Sequence, residues 1–297
     1  MESKRIGAQT MRLTNPPSVL SFAAVGGKME AKGPLAEYFD ELSEDHFWGE
    51  KTWEKGESTM QKHALSRALE KGNLKPNDLD AVFAGDLLNQ CIGSSFSLRE
   101  FGIPFYGLYG ACSTMGEGLS LAALLIDGGF ALRVAVLTSS HFCTAERQYR
   151  MPVPYGSQRT PCAQWTATAS GCCILADTGG GPYVTHVTTG KIVDKGITDP
   201  NNMGAAMAPV NVKDKPYFFA KLFFSVIAIV SRVFLWVQQW GCNREEYTII
   251  QYQLLLKLHF TAKSSVNSSD RGIIVPLSFC YADNVFLFTS IYSRTSA

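Results

Sequence analysis

The sequence predicts a layered α/β fold over its first 212 residues. Short apolar runs alternate there with stretches of helical periodicity, which is the order expected when helices cover a sheet. The chain of 297 residues is 46% hydrophobic and 18% charged, so it can bury a substantial core, and disorder is excluded as its main state. Its 27 basic and 26 acidic residues give a net charge of +1, which does not favour nucleic acid as a partner.

The first predicted elements are a strand, a short helix and a long helix. The apolar run Val19 to Val25 predicts a strand, and Pro34, after a Gly-Gly turn, marks the start of a short helix ending near Leu42. From Trp53 to Leu69 apolar residues recur at helical spacing, and Gly72 follows as a stop signal. We expect this long helix to cover one face of the sheet.

The next elements are predicted to be central strands around a buried helix. Leu79 to Ala84 and Pro104 to Tyr109 are short apolar runs that end near glycine, and both predict central strands. The stretch Cys112 to Ile126 is apolar nearly all round and predicts a buried helix. We expect parallel strands joined by crossover helices. The later predicted strands are Arg133 to Leu137, Gly171 to Leu175 and Tyr183 to Thr188.

Cys112 stands where a predicted strand passes directly into the buried helix, in the sequence Gly-Ala-Cys-Ser-Thr. A thiolate at that point meets the positive end of the helix macrodipole and unpaired backbone N–H groups, both of which lower the pKa of a cysteine. The same groups can hold an anion. The alternative is that Cys112 is a small core residue, as most buried cysteines are.

Four motifs in this region resemble a known family. The segment GACSTMGEGLSLAALLIDGG around Cys112 resembles the nucleophile segment of the thiolase superfamily. Together with three further motifs it resembles the stage V sporulation protein AD family, over a region running from about Gln9 to Val210. Four motifs in the same order are far more specific than one Gly-Ala-Cys-Ser alone. The three further motifs are AGDLLNQ at Ala84 to Gln90, TSSHFCTAERQYR at Thr138 to Arg150, and GKIVDKGITDPNNMGAAMAP at Gly190 to Pro209.

The resemblance implies a thiolase-like fold of two similar βαβαβαββ halves packed back to back. It also implies binding of dipicolinic acid (pyridine-2,6-dicarboxylic acid), alone or as its calcium chelate, for uptake into bacterial spores and for release from them. The expected partners are membrane proteins of the same sporulation operon and a second copy of the chain. The expected location is the forespore cytoplasm, peripheral to the spore inner membrane. No cofactor, bound metal or nucleic acid is expected.

A flat dianion needs hydrogen-bond donors or cations for its two carboxylates and apolar surface for its ring. By resemblance, Asp86 and Cys112 match family positions associated with the ligand pocket. We expect Arg147, from the loop after Ser140, to pair with a carboxylate of the ligand. The candidate ligand-binding residues are Asp86, Cys112, Ser113, His141, Glu146 and Arg147.

Each candidate also has a structural alternative. A carboxylate such as Asp86 at a strand end commonly accepts backbone hydrogen bonds in a turn. Glu146 and Arg147 can pair with each other and brace their segment. His141 can be a hydrogen-bonded structural histidine rather than a proton shuttle.

An acyltransferase is the alternative function, with Cys112 as the nucleophile. Such an enzyme also needs a histidine, and a second histidine, cysteine or asparagine, to activate the thiol and stabilise the oxyanion. After Val212 the only histidine is His259, and neither Gly-His-Pro nor His-Asn-Asp surrounds it. The sequence therefore favours a binding protein over a condensing enzyme.

The composition changes abruptly near Val212. Of the 26 glycines only Gly241 and Gly272 follow it, and aromatic residues are enriched there. We therefore divide the chain into a thiolase-like first half (1–189), the start of a second half (190–212) and a divergent tail (213–297). We expect the second half to be truncated or replaced, through a shifted reading frame or a degenerate gene. A non-functional truncated product is thus a third hypothesis.

One tail segment has a composition close to that of a membrane span. Leu222 to Val237 carries a single charge, Arg232. A helix that crosses a bilayer needs about 20 apolar residues, and an arginine near its centre costs about 2.5–3.5 kcal/mol on the insertion scale. The sequence therefore does not favour a span here.

Overall fold

The computed structural model describes residues 3–33, 35–87, 91–149, 166–191 and 193–198, together with three strands of the tail. For Cys112, residues 146–149 and the tail strands it describes the backbone alone. In this part of the chain no helix combines the length and hydropathy needed to cross a membrane. The segment Leu222 to Val237 lies outside the described residues.

The elements before the tail alternate between strands and helices. In chain order they are β1 Thr10–Arg12, β2 Ser18–Gly26, β3 Glu41–Leu42, α1 Trp53–Gly72, β4 Ala81–Asp86, α2 Ile92–Leu98, β5 Phe105–Gly107, α3 Thr114–Asp127, β6 Arg133–Ser140, α4 Phe142–Tyr149, β7 Ala169–Ala176 and β8 Tyr183–Thr189. Short 3-10 helices lie at Glu30–Lys32, Ala36–Tyr38, Pro76–Asp78 and Ala111–Ser113. The tail contributes β9 Lys257–Phe260, β10 Ile273–Pro276 and β11 Leu287–Tyr292.

Most strands form one mixed sheet in the order β1-β8-β2-β7-β6-β4-β5, with β3 beside β2 and β11 beside β8. β4 is parallel to both β5 and β6, and β7 lies antiparallel between β2 and β6. Strands β2, β6, β4 and β5 therefore run in the same direction, and their carboxyl ends meet at one edge of the sheet. We call this the carboxyl edge. The predicted layered α/β class is confirmed.

Helices cover both faces of this sheet. α1 packs on one face against side chains such as Val82 and Leu137, and α3 packs on the other face against side chains such as Val136. The adjacent residues Cys172 and Cys173 of β7 illustrate the alternation, because the first lies in the α1 layer and the second in the α3 layer. Fully burying one such leucine or valine contributes about 1.5–3 kcal/mol.

The long helix α1 has a defined cap at each end. The Thr52 side chain accepts a hydrogen bond from the Lys55 backbone N–H at 3.3 Å, which satisfies an N-terminal donor. At the other end Asn73 adopts the left-handed conformation, with φ of 51°. The predicted helix is confirmed. Gly72, the predicted stop signal, is its last residue, and the C-cap is Asn73.

Several predicted elements differ from those observed. The predicted short helix between Pro34 and Leu42 is wrong: Ala36–Tyr38 forms a single 3-10 turn, Glu41–Leu42 is a strand, and Pro34 itself lies outside the described residues. β4 is central as predicted, but β5 lies at the sheet edge. β7 and β8 are antiparallel to their neighbours, so the expectation of parallel strands holds for β2 and β4 to β6.

Two short helices, α2 and α4, were not predicted. α2 has serines at Ser94, Ser95 and Ser97, which weaken helical periodicity in the sequence. α4 occupies the segment after Ser140, which we predicted to be a loop. Arg147 therefore lies on a helix.

Candidate functional site

The candidate residues are distributed along the carboxyl edge. β4 ends at Asp86 and β6 ends at Ser140, and each is followed closely by a helix, α2 and α4 respectively. β5 leads through the 3-10 turn Ala111–Ser113 into α3. This topology brings the motifs around Asp86, Cys112 and His141 to the same edge of the sheet.

Cys112 is the middle residue of the turn Ala111–Ser113, directly before α3. Its predicted position at the start of a buried helix is confirmed. The backbone N–H of Ser113 donates to the Gly110 oxygen at 2.8 Å, and its hydroxyl donates to the same oxygen at 2.7 Å. The Ser113 amide is therefore engaged within the turn in this conformation, and a contact between Ser113 and a ligand stays a prediction.

Glu117 places a carboxylate beside this turn, which sequence reasoning missed. A Cβ atom at Gly110 would lie 2.6 Å from Glu117 Oε2 and 2.6 Å from Ser113 Oγ, so any other residue there would displace one of these two side chains. Glu117 is half-buried in the first turn of α3, and burial raises its pKa. When ionised, this carboxylate opposes a second negative charge nearby. The available signal was an acidic residue in the first turn of a largely apolar helix.

Asp86 has a structural role in the carboxyl edge. Its side chain is buried, with Oδ1 lying 3.4 Å from the Cys91 backbone nitrogen and Oδ2 lying 3.3 Å from that of Ser94. These bonds hold the start of α2 against the end of β4. The turn-carboxylate alternative therefore describes the observed contacts, and direct contact with a ligand stays a prediction.

Cys91 connects the start of α2 to the segment after β5. It adopts a left-handed conformation with φ of 66°, and its thiol lies 3.2 Å from the Leu108 backbone oxygen, to which it donates. Burial, and then the charge of Asp86, raise the pKa of the Cys91 thiol. The thiol is therefore protonated at neutral pH and reacts slowly with electrophiles.

His141 is buried at the start of α4, with both ring nitrogens engaged. Nδ1 accepts from the Cys143 backbone N–H at 3.1 Å, so Nε2 carries the proton and donates to the His46 oxygen at 2.9 Å. Burial lowers the pKa of His141, which keeps the ring neutral. The Trp53 ring stacks on it with centroids 6.4 Å apart. The contacts fit a structural histidine that caps α4.

Glu146 and Arg147 lie on α4, in the helix that His141 caps. Their backbone positions place them one to two turns beyond the carboxyl edge. Contacts of these two side chains with a ligand, or with each other, stay predictions.

Two further polar residues at the carboxyl edge were missed. Glu57 and Gln61 are both buried on α1, on the side of the helix that packs against the sheet. Their signal in the sequence was a pair of polar residues spaced by four within the apolar face that includes Met60 and Ala64. Their contacts are described below.

Among the residues that the structure describes, no three His, Cys, Asp or Glu side chains lie close enough together to hold a metal ion.

The sequence is similar to one family of known proteins. The family model of stage V sporulation protein AD matches residues 7–224, a range that includes every candidate residue. Stage V sporulation protein AD of Bacillus subtilis (strain 168) is 43% identical over 206 residues, which cover 69% of this chain and 61% of that protein. The chain therefore spans about three-fifths of the length of this curated relative.

Solved structures similar to the chain include a synthase and a ketosynthase. The 3-oxoacyl-[acyl-carrier-protein] synthase III from Aquifex aeolicus VF5 is 14% identical with a TM-score of 0.43, covering 68% of this chain and 66% of that one. The priming β-ketosynthase of the R1128 polyketide pathway is 17% identical with a TM-score of 0.41, covering 65% and 57%. The family model spans well over half of the sequence, which confirms the predicted resemblance: the chain belongs to the stage V sporulation protein AD family.

Proposed function

We propose that the chain binds dipicolinic acid without a covalent step and serves its movement into, and its release from, bacterial spores. The observation that carries this proposal is the family match over residues 7–224, since it covers all four motifs, including the three at the carboxyl edge. Sporulation is the setting that the family name supplies, and the ligand is our inference from the candidate residues.

The proposed site is the turn Ala111–Ser113 together with the start of α4 at the same carboxyl edge. The positive end of α3 faces one carboxylate of the ligand, and Arg147 is the proposed partner of the other. Apolar and aromatic surface along the carboxyl edge is proposed to contact the pyridine ring.

Two observations favour binding over acyl transfer. A condensing enzyme needs a base for its cysteine, and His141 cannot serve because both of its ring nitrogens are engaged with backbone groups. In addition, the carboxylate of Glu117 beside the turn disfavours the thiolate that acyl transfer requires. Acyl transfer through Cys112 remains the second candidate function.

We propose that the bound species includes calcium. A dianion placed near Glu117 and the buried Asp86 meets carboxylates, whereas a calcium chelate has lost the ligand's net negative charge. Calcium prefers carboxylate oxygen, so Glu117 is the proposed protein contact of the chelate.

Self-association is proposed at the sheet edge formed by β5. The side of this strand that faces away from β4 pairs with no described strand, and it lies beside four exposed apolar side chains. An edge strand with apolar neighbours is a ready surface for pairing with a second copy. The four residues are Ile92, Phe96, Tyr106 and Tyr109. The further proposed partners are membrane proteins of the same operon, with the chain peripheral to the spore inner membrane in the forespore.

Calorimetric titration of the purified chain with dipicolinate tests the proposal. We expect saturable binding that strengthens when calcium is added and persists in Cys112→Ala. Isophthalate, which keeps both carboxylates but lacks the ring nitrogen that helps to chelate calcium, is the matched control and should bind more weakly. Incubation with acetyl-coenzyme A, followed by intact mass measurement, tests the second candidate. An acetyl adduct lost in Cys112→Ala, with no heat from dipicolinate, would overturn the proposal in favour of acyl transfer.

A further inference from the structure

Glu57 and Gln61 form a buried polar pair that no ligand-binding role explains. They lie one turn apart on α1 and are 1% and 0% exposed. A buried carboxylate or amide costs several kcal/mol unless its hydrogen bonds are satisfied. The bonds that these two side chains make therefore determine what the pair does.

Gln61 joins the ends of two strands to helix α2. Its Nε2 lies 3.3 Å from the Gly85 oxygen, in the residue before Asp86, and 2.7 Å from Ser139 Oγ on β6. The same nitrogen lies 3.1 Å from Ser94 Oγ, so three acceptors share its two protons. Oε1 accepts from the Ser97 hydroxyl at 2.7 Å, and this hydroxyl also lies 2.8 Å from the Ser94 oxygen, so the amide contacts two residues of α2.

Glu57 joins the end of β6 to helix α4. Its Oε1 accepts from the Ser139 hydroxyl at 2.8 Å, and its Oε2 lies 3.3 Å from Thr144 Oγ1 in α4, a hydroxyl that also lies 2.9 Å from the His141 oxygen. Both partners are buried. The carboxylate therefore contacts Ser139, which precedes His141, and Thr144, which follows it.

Ser139 gives the network a fixed direction. Its hydroxyl has one proton, which goes to the carboxylate of Glu57, and its oxygen accepts from the amide of Gln61. The Ser139 hydroxyl thus has a defined role toward each of the two side chains. Hydrogen bonds between buried polar groups are strengthened by their low-dielectric surroundings, so this network holds its elements together.

We propose that Glu57 and Gln61 are positioning residues that hold the starts of α2 and α4 against the carboxyl ends of β4 and β6. α2 follows Asp86, and α4 carries Glu146 and Arg147, so the pair fixes the two helices beside three of the candidate residues. The effect on dipicolinate rests on the proposed function, whereas the effect on the two helices does not.

Cysteine labelling reports on the two helices without any ligand. Cys91 directly precedes α2 and Cys143 lies in the first turn of α4, and both are partly exposed. Cys172 and Cys173 are buried in β7 and react only when the sheet opens. Labelling of the full chain by iodoacetamide, followed by peptide mass spectrometry, therefore separates local loosening from global unfolding.

The variants are Gln61→Met, which keeps the volume but removes the hydrogen bonds, and the milder Glu57→Gln, which removes the charge and replaces one acceptor oxygen by an NH2 donor. Glu70→Gln on the exposed side of α1 is the matched control. In Gln61→Met we expect labelling at Cys91 and Cys143 to rise about tenfold, which corresponds to roughly 1.4 kcal/mol of local stability. Glu57→Gln should accelerate labelling at Cys143 more than at Cys91, because Glu57 contacts Thr144 of α4 directly, whereas the contacts with α2 come from Gln61. Cys172 and Cys173 should stay protected in all variants.

Two results would overturn the proposal: unchanged labelling at Cys91 and Cys143 in both variants, or equal acceleration at all four cysteines in both, which indicates a general stabilising role. Dipicolinate binding by the wild-type chain and the variants is measured in a separate experiment. If the wild-type chain binds dipicolinate, Gln61→Met should weaken that binding about tenfold. If the wild-type chain binds none but the local labelling pattern appears, the positioning role stands and the proposed function fails.

Discussion

The ring of His141 donates its Nε2 proton to the backbone oxygen of His46, 2.9 Å away, and so ties the start of α4 to the loop ahead of α1. The other ring nitrogen accepts from the Cys143 backbone N–H. A protonated ring cannot accept at Nδ1, so charging His141 breaks the cap of α4. The carboxyl edge is thus held by a histidine that must remain neutral.

Replacing His141 by alanine should lower the free energy of unfolding by about 2 kcal/mol, because it removes a helix cap and leaves the His46 oxygen without its partner. Burial lowers the pKa of His141 from its ordinary value of 6.5, so the folded state binds fewer protons than the unfolded state below that value. The contribution of His141 to the free energy of unfolding is fully present above pH 6.5, and it is lost as the pH falls through the pKa of His141 in the folded state. Urea unfolding at pH 7.5 and pH 5.5 should therefore show a smaller gap between variant and wild type at the lower pH.

His63→Ala is the control for this prediction, since His63 is partly exposed and pairs with Glu41 at the surface. Such pairs contribute about 0–1 kcal/mol. Equal losses in the two variants, or a gap for His141→Ala that widens at pH 5.5, would contradict the capping role.

Glu30 is buried, and one oxygen of its carboxylate accepts from the Thr168 backbone N–H at 3.1 Å. Burial raises its pKa above the ordinary 4.5, so the folded state retains a proton that the unfolded state releases. The stability linked to this proton is present below pH 4.5 and is lost as the pH rises through the folded pKa. Between pH 5 and pH 8 the wild-type Tm should fall by about 2–4 °C more than that of Glu30→Gln, the equivalent of about 1 kcal/mol.

Scanning calorimetry at both pH values measures this difference. Glu37→Gln, which removes an exposed carboxylate from a nearby turn, should follow the wild-type pH dependence. If Glu30→Gln also follows it, Glu30 does not titrate in this range.

Glu117→Gln should change how dipicolinate binding responds to calcium. Without calcium, removal of the carboxylate beside the turn Ala111–Ser113 should tighten binding of the dianion about three- to tenfold. With calcium, the variant should gain less affinity than the wild type, because the proposed protein contact of the chelate is lost. Since burial raises the pKa of Glu117, wild-type affinity for dipicolinate without calcium should rise as the pH falls through that pKa. Calorimetric titrations at pH 5.5 and 7.5 test both statements, and identical calcium responses in the two proteins would refute this role of Glu117.

Ile92→Lys should weaken self-association about tenfold, because it places a charge in the exposed apolar surface beside β5. Phe130→Lys is the matched control, since Phe130 is 81% exposed but lies in the loop between α3 and β6. Sedimentation equilibrium measures both association constants. A wild-type chain that sediments as a monomer, or a larger loss in Phe130→Lys, would contradict the proposed pairing at β5.

The sequence predicts the main layers because their patterns are local. The apolar residues of α1 recur at helical spacing, and β2, β4 and β6 are short apolar runs that only burial on both faces explains. Strand direction and sheet order are different, since they depend on contacts far apart in the chain. That is why β5 was expected in the centre and β7 was expected to be parallel.

The candidate site was predicted in part for the same reason. The motifs identify Asp86, Cys112 and His141, and the topology brings their segments to one edge. The backbone partners of Asp86 and His141, however, appear only when helices α2 and α4 are in place. Glu57 and Gln61 could not be assigned from periodicity, because two polar residues in an apolar face gain meaning only from partners on other elements.

A crystal structure of the chain with dipicolinate and calcium is the most direct test of where and how the ligand binds. We predict a planar ligand against the turn Ala111–Ser113, with one carboxylate toward the start of α3 and no bond to the sulfur of Cys112. The account would be contradicted if the ligand bound elsewhere and left the turn Ala111–Ser113 empty. It would also be contradicted if an acyl group were bonded to the sulfur of Cys112.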